Sequence, residues 1–92
     1  MTPERALEYD FKNFVRIRKG LSFKFVSPGC AGVPDSINVT GAGNIFFLEF
    51  KSPGKTPGKL QRYWIKKINS LSGKAHWTDN IEEAKRIYES YD

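Results

Sequence analysis

Apolar residues recur at two different spacings along the chain, and these spacings divide it into helices and strands. Leu7, Phe11 and Phe14 follow one another at steps of three and four, which is the spacing of a buried helix face. The same spacing returns twice later in the sequence. We therefore predict helices over residues 2–20, 56–73 and 79–91, with Thr2, Thr56 and Asp79 as their respective N-caps. In the second helix, the residues expected to form the buried face are Leu60, Trp64, Ile68 and Leu71.

Alternating apolar positions predict four strands between and beside these helices. They span residues 21–26, 36–40, 44–51 and 74–78. Gly41-Ala42-Gly43 separates the second strand from the third by a short turn, so these two are expected to form a hairpin. The predicted order is α-β-β-β-α-β-α, a mixed α/β layer structure, and we assign residues 1–92 to one domain.

The third strand is the most apolar stretch of the chain, yet it ends in Glu49 and Lys51. Residues two apart in a strand project to the same face, so these two charged side chains share one face at the end of the strand. If the hairpin is antiparallel, Asp35 at the start of the second strand lies opposite that end. Asp35, Glu49 and Lys51 would then converge at one edge of the sheet.

Two carboxylates placed close together repel each other unless a proton or a cation joins them. Mg²⁺ favours one or two carboxylates together with waters and phosphate oxygens, and a nearby lysine could orient a water and offset charge on a phosphate under attack. This combination suits phosphodiester hydrolysis. The alternative interpretation is an ordinary Glu49–Lys51 ion pair at a fraying strand end.

A longer string around these residues resembles a known nuclease family. Pro34-Asp35 followed by Glu49-Phe50-Lys51 matches the PD-(D/E)XK pattern. The segments FKFVSPGCAGVPD, FLEFK and SPGKTPGKLQ, in this order and from about residue 7 to residue 88, resemble the virus-type replication-repair nuclease (VRR-NUC) domain. The resemblance implies a PD-(D/E)XK restriction-endonuclease-like core with a mixed sheet flanked by helices, in a stand-alone, phage-type member.

The resemblance also implies roles for individual residues. Asp35 and Glu49 would be metal ligands together with the backbone carbonyl of Phe50, and Lys51 would be the catalytic lysine. Gln61 falls where the family places a glutamine that orients the lysine or the attacking water.

The family also draws a glutamate from its first helix. Glu8 is our choice and Glu4, one turn earlier, is the alternative. Lys24 occupies the lysine position of the family's first strand and is expected to touch a phosphate, or else to be a plain exposed lysine. Family members commonly carry a basic residue after the aspartate, where this chain has Ser36, so a DNA contact at that position is not expected.

Charge is distributed unevenly along the chain. The net charge is +5, from 15 Lys and Arg against 10 Asp and Glu, and residues 51–67 contain six cations and no acid. Such a stretch would hold phosphates without reading bases, whereas the alternative is a solvated helix surface. The residues that we expect to contact nucleic acid are Lys24, Lys55, Lys59, Arg62 and Lys66.

Several other classes of protein are disfavoured by composition. The single cysteine, Cys30, cannot form an intramolecular disulfide and favours a reducing compartment, and the lone histidine, His76, has no partner for a zinc site. No apolar run suits a membrane span, and residues 1–10 lack the layout of a signal peptide. We expect a cytoplasmic protein of a phage or a bacterium, without membrane partner or small-molecule cofactor.

The sequence thus predicts a Mg²⁺- or Mn²⁺-dependent, structure-specific DNA endonuclease. The resemblance implies a homodimer that resolves four-way (Holliday) junctions, because small stand-alone members are thought to act in this way. Two alternatives remain, a nuclease or nickase acting on flaps or duplex DNA without junction preference, and a catalytically silent DNA-binding module.

Overall fold

The computed structural model describes all 92 residues and contains the seven elements in the predicted order. The helices and strands, in chain order, are α1 (Pro3–Ile17), β1 (Leu21–Lys24), β2 (Ser36–Val39), β3 (Ile45–Phe50), α2 (Lys59–Ser70), β4 (Ala75–Thr78) and α3 (Ile81–Tyr91). The predicted mixed α/β architecture is therefore confirmed.

Of the three N-cap residues predicted from the sequence, one is confirmed and two are wrong. Thr2 caps α1 as predicted, because its Oγ1 accepts a hydrogen bond from the Arg5 amide at 3.2 Å. The predicted cap Thr56 is wrong, since α2 begins two residues later with Gly58 as N-cap. Asp79 is also wrong as a cap, because its carboxylate accepts a hydrogen bond from the Gly54 amide, and Asn80 caps α3 instead.

The four strands form one mixed sheet in the order β1-β2-β3-β4. β1 and β2 are antiparallel, β2 and β3 form the predicted antiparallel hairpin, and β3 and β4 are parallel. A parallel pair needs a crossover connection, and α2 provides it. Both β1 and β4 are edge strands.

One face of the sheet carries the core. α1 and α3 pack together on this face, where Phe11 and Tyr88 are fully buried. The ring of Tyr88 packs against Phe46 and that of Phe11 against Phe50, both from β3. The full set of buried core side chains is Leu7, Phe11, Val15, Phe46, Leu48, Phe50, Ala84 and Tyr88. Burial of these apolar surfaces is the main source of stability in a chain of this size.

The opposite face of β1, β2 and β3 remains largely uncovered, and we call it the open face. Leu21, Phe23 and Ile45 are 55%, 52% and 56% exposed on it. Strand alternation and the pairing register assign seven apolar residues to this face, namely Leu21, Phe23, Phe25, Ile37, Val39, Ile45 and Phe47.

The open face exists because α2 lies against the short edge strand β4 rather than across the sheet. The prediction that α2 has a buried apolar face is therefore wrong. α2 has no fully buried residue, Leu60 and Leu71 are 50% and 71% exposed, and Trp64 and Ile68 are half-buried. None of the three helices is long and apolar enough to cross a membrane.

Candidate active site

The hairpin brings Asp35 and Glu49 to the same end of the sheet. Ser36 pairs with Leu48, so the next position outward sets Asp35 opposite Glu49, as the antiparallel register predicts. The loop before Asp35 is shaped by Gly32, whose φ of +87° lies in the left-handed region that favours glycine. A Cβ on Gly32 would approach Leu60 Cγ to 2.8 Å. Gly29, in the same loop, has neither a positive φ nor any atom within 4 Å of the position that a Cβ would occupy.

Glu49 is an acid buried at the end of an apolar strand. Its residue is only 6% exposed, between the hydrophobic residues Leu48 and Phe50. Burial, and next the negative charge of Asp35, raise the pKa of Glu49 from its ordinary value to about 7, although Lys51 acts in the opposite direction. Glu49 therefore gains a proton more readily than an exposed glutamate, and Lys51 does not cancel the effect of burial.

Lys51 and Gln61 both contact the Glu49 carboxylate. Lys51 Nζ lies 3.8 Å from Glu49 Oε2, and Gln61 Nε2 donates a hydrogen bond to the same oxygen at 3.2 Å. Gln61 Oε1 accepts a hydrogen bond from the Gly58 amide at 2.9 Å, which satisfies a free N–H at the start of α2. Gln61 thus joins the first turn of α2 to the buried acid, a contact that the sequence resemblance did not specify.

Glu8 approaches Asp35 from α1, with Lys24 of β1 between them. Lys24 Nζ lies 3.5 Å from Asp35 Oδ2 and 3.8 Å from Glu8 Oε1. Burial raises the pKa of Glu8, Lys24 opposes this effect, and Asp35 and Glu4 add to it. Lys24 therefore acts as the counter-charge of two acids, which the sequence did not indicate.

A cleft of about 90 Å³ opens between α1 and the ends of β1, β2 and β3, and we call it the acidic cleft. Glu8 and Asp35 line it, whereas Glu4, the alternative glutamate, does not. Phe50 also borders the cleft, and its ring packs against that of Phe11 with 5.4 Å between the ring centroids. The complete lining is Glu8, Lys12, Ser22, Phe23, Lys24, Asp35, Ser36 and Phe50.

Lys12 also lines the acidic cleft, and it is not among the site residues predicted from the sequence. It follows Glu8 by four residues on α1, so the two side chains lie on neighbouring turns of one helix face. Once Glu8 is assigned to the site, this spacing of four residues is enough to predict that Lys12 lies close to it.

The chemistry of these residues fits a hard divalent cation, although the side chains as they stand do not enclose one. Glu8, Asp35 and Glu49 offer carboxylate oxygens, the ligands that Mg²⁺ prefers. The pKa of Glu49 is raised mainly by burial and next by the charge of Asp35, and a bound cation would oppose both effects. An ammonium group, that of Lys24, already lies beside two of them. No group of three His, Cys, Asp or Glu side chains is close enough to hold a metal ion in this arrangement.

The cations expected to contact nucleic acid form an exposed stripe that begins in the loop before α2. Lys55, Lys59, Arg62 and Lys66 are all exposed, and none of them forms an ion pair. Gln61 lies among them and contacts Glu49, so the stripe adjoins the buried acid. His76 is distant from this chemistry, since it is hydrogen-bonded to Tyr91 and packs against Phe46.

Comparison with known proteins identifies a solved structure with the same fold and a relative in sequence. A solved structure described as a VRR_NUC domain superposes on the whole chain with a TM-score of 0.89, with 100% of both chains covered and 20% sequence identity. A protein of Acyrthosiphon pisum secondary endosymbiont phage 1, named "Putative nuclease p44", is 41% identical over 58 residues. That match covers 63% of this chain and 62% of the phage protein, so the similarity spans about three fifths of each. No family model matches the sequence.

Proposed function

The chain has the fold of a VRR-NUC domain, and on this premise we propose that it is a DNA endonuclease dependent on Mg²⁺ or Mn²⁺. One observation carries the proposal. Asp35 and Glu49, separated by a whole hairpin in the sequence, stand opposite each other, with Lys51 and Gln61 on one of these acids and Glu8 near the other.

Each residue has a distinct role in this proposal. Asp35, Glu49 and Glu8 would hold the metal ion, with the Phe50 carbonyl as a further oxygen ligand. When bound, such an ion lowers the pKa of a coordinated water and offsets the charge that develops on the attacked phosphate. Lys51 supplies a cation beside the reacting phosphate, and Gln61 keeps the Glu49 carboxylate oriented.

The exposed stripe of Lys55, Lys59, Arg62 and Lys66 would bind the sugar-phosphate backbone. These side chains have no acidic partners within the protein, so their charges are available to phosphates. Contacts of this kind give affinity that falls with salt and does not depend on base sequence. Lys24 would join them once a metal ion replaces it beside Asp35.

We further propose that the active species is a homodimer that cleaves four-way junctions. Cutting two symmetric strands needs two sites, and a C₂ dimer supplies them. The open face supports this assembly, since proteins rarely leave a contiguous apolar surface of this kind to water and a second copy would bury it.

A cleavage assay on matched DNA substrates tests the function. Wild-type protein should cut a labelled four-way junction in Mg²⁺, and should cut linear duplex of the same sequence far less. Asp35→Asn should abolish cleavage while leaving junction binding in Ca²⁺ largely intact. Asp10→Asn, which changes an exposed acid of α1, is the matched control and should cleave normally.

The outcomes separate the alternatives. Equal cleavage of duplex and junction would support a nuclease without junction preference. Binding without cleavage in either Mg²⁺ or Mn²⁺ would support a silent DNA-binding module. Undiminished cleavage by Asp35→Asn would show that the proposed site is wrong.

A further inference from the structure

A second groove adjoins the acidic cleft. It has a volume of about 530 Å³ and runs between α1 and the edge strand β1. Lys12, Ser22 and Phe23 line both the groove and the acidic cleft, so the two spaces are continuous. We call this second space the α1–β1 groove.

The α1–β1 groove is positively charged. Lys12 and Arg16 line it, no aspartate or glutamate does, and neither cation takes part in an ion pair. Arg16 Nη2 donates one hydrogen bond to Asn13 Oδ1 at 3.1 Å, which leaves the other guanidinium donors free. Glu8, Lys12 and Arg16 follow one another every four residues, about 6 Å apart along the helix axis.

The groove also has an aromatic wall. Tyr9 lines it and is 59% exposed, although nothing in the packing of the protein requires a tyrosine there. Leu21 and Phe23 of β1 also border the groove, but strand alternation directs their side chains to the open face, so the ring available within the groove is that of Tyr9. An exposed ring beside free cations is the combination with which proteins hold unpaired bases, because every base offers a face for stacking.

We propose that the α1–β1 groove binds a single-stranded segment of nucleic acid adjoining the phosphate in the acidic cleft. Lys12 and Arg16 hold successive phosphates, and an unpaired base stacks on Tyr9. A duplex is disfavoured as the occupant because its bases are already stacked on one another and cannot reach the ring. This inference rests on the proposed function for the location of the cleaved phosphate, and it implies that at a four-way junction the nucleotides beside the crossover separate from their paired partners before they enter the groove.

Binding measurements without catalysis test the groove directly. Fluorescence anisotropy with labelled oligo-dT of about 12 nucleotides and with a blunt duplex of equal length, both in Ca²⁺, compares the two forms of DNA. Tyr9→Ala should weaken binding to the single strand about tenfold and leave duplex binding within twofold. Arg16→Gln should lower the slope of log K against log salt by about 0.7 for the single strand.

Matched controls come from the other helices. Leu71→Ala removes an apolar side chain just after α2 that is 71% exposed, and Arg86→Gln removes an exposed arginine of α3. Both controls should leave affinity for the single strand unchanged. All four positions are exposed, and thermal melting by circular dichroism checks that each variant remains folded.

The inference is overturned if Tyr9→Ala and Arg16→Gln bind the single strand like wild type, or if they lose affinity for duplex equally. These outcomes are independent of the nuclease proposal. A wild-type protein that cleaves no DNA but loses single-strand affinity on Tyr9→Ala supports the groove and contradicts the nuclease. If wild type cleaves DNA and both groove variants bind the single strand like wild type, the result supports the nuclease and contradicts the groove.

Discussion

Replacing Glu49 with glutamine should change how the stability of the metal-free protein depends on pH. The pKa of Glu49 is raised to about 7 in the folded state, against an ordinary value near 4.5 in an unfolded chain. The folded protein therefore binds the proton more tightly, and the stability associated with that proton is fully present below pH 4.5 and is lost as pH rises through about 7. The gap between the two pKa values corresponds to about 3 kcal/mol, without discount for solvent because Glu49 is only 6% exposed.

Urea unfolding in the presence of EDTA, from about pH 5 to about pH 8.5, measures this effect. Glutamine has nearly the same shape as glutamate and does not titrate, so the titration of groups that do not interact with Glu49 cancels when the variant is subtracted from wild type. The free energy of unfolding of wild type, relative to Glu49→Gln, should fall by up to about 3 kcal/mol across that range. Glu82→Gln, which changes an exposed acid of α3, should show no such trend.

Saturating Mg²⁺ should reduce this fall in the free energy of unfolding of wild type between about pH 5 and about pH 8.5, because a metal ion and a proton compete for the same carboxylate. It should therefore stabilise wild type more at pH 8.5 than at pH 5. Free energies for wild type and Glu49→Gln that remain parallel over the whole range, without metal, would refute the reasoning, since Glu49 would then titrate normally in the folded protein.

Three further substitutions test other parts of the structure. Gly32→Ala should destabilise the protein by about 1–2 kcal/mol in urea unfolding, because the residue has φ +87°, whereas Gly29→Ala in the same loop should be neutral; equal effects would contradict the geometry. Gln61→Leu should lower the free energy of unfolding by about 1–3 kcal/mol and reduce cleavage, since it removes the contacts to Glu49 and to the start of α2; an unchanged urea midpoint would argue against this linkage. Ile45→Lys should convert the proposed dimer to a monomer in sedimentation velocity, and unchanged sedimentation would exclude the open face as the contact.

The sequence predicted the acidic end of the hairpin because strand alternation and a short turn leave little freedom there. Once β2 and β3 are antiparallel and joined by residues 40–44, the register sets Asp35 opposite Glu49. The order of helices and strands could be predicted because the spacing of apolar residues changes between them, and that spacing is a local property of the chain. These parts of the fold depend on neighbours in sequence, and for that reason they could be read from it.

The parts that could not be predicted depend on which surfaces meet. The periodicity of α2 shows an apolar stripe, but the stripe does not specify whether a broad sheet or a short edge strand covers it, and Leu60 and Leu71 remain exposed. Thr56 and Asp79 both have the chemistry of a cap, and neighbouring loops decide their actual roles. The approach of Lys24 to Glu8 joins two elements by a tertiary contact that no spacing reveals.

The position of Lys24 has a consequence for how this protein folds before it binds the proposed metal ion. Domains that fold around a structural ion remain unfolded until the ion is supplied, because their ligands repel one another without it. Here an ammonium group from β1 lies between the acids of α1 and β2, so part of that repulsion is offset within the chain itself. We therefore expect the polypeptide to complete its fold without metal and to take up the proposed ion afterwards, as a late addition to a finished scaffold.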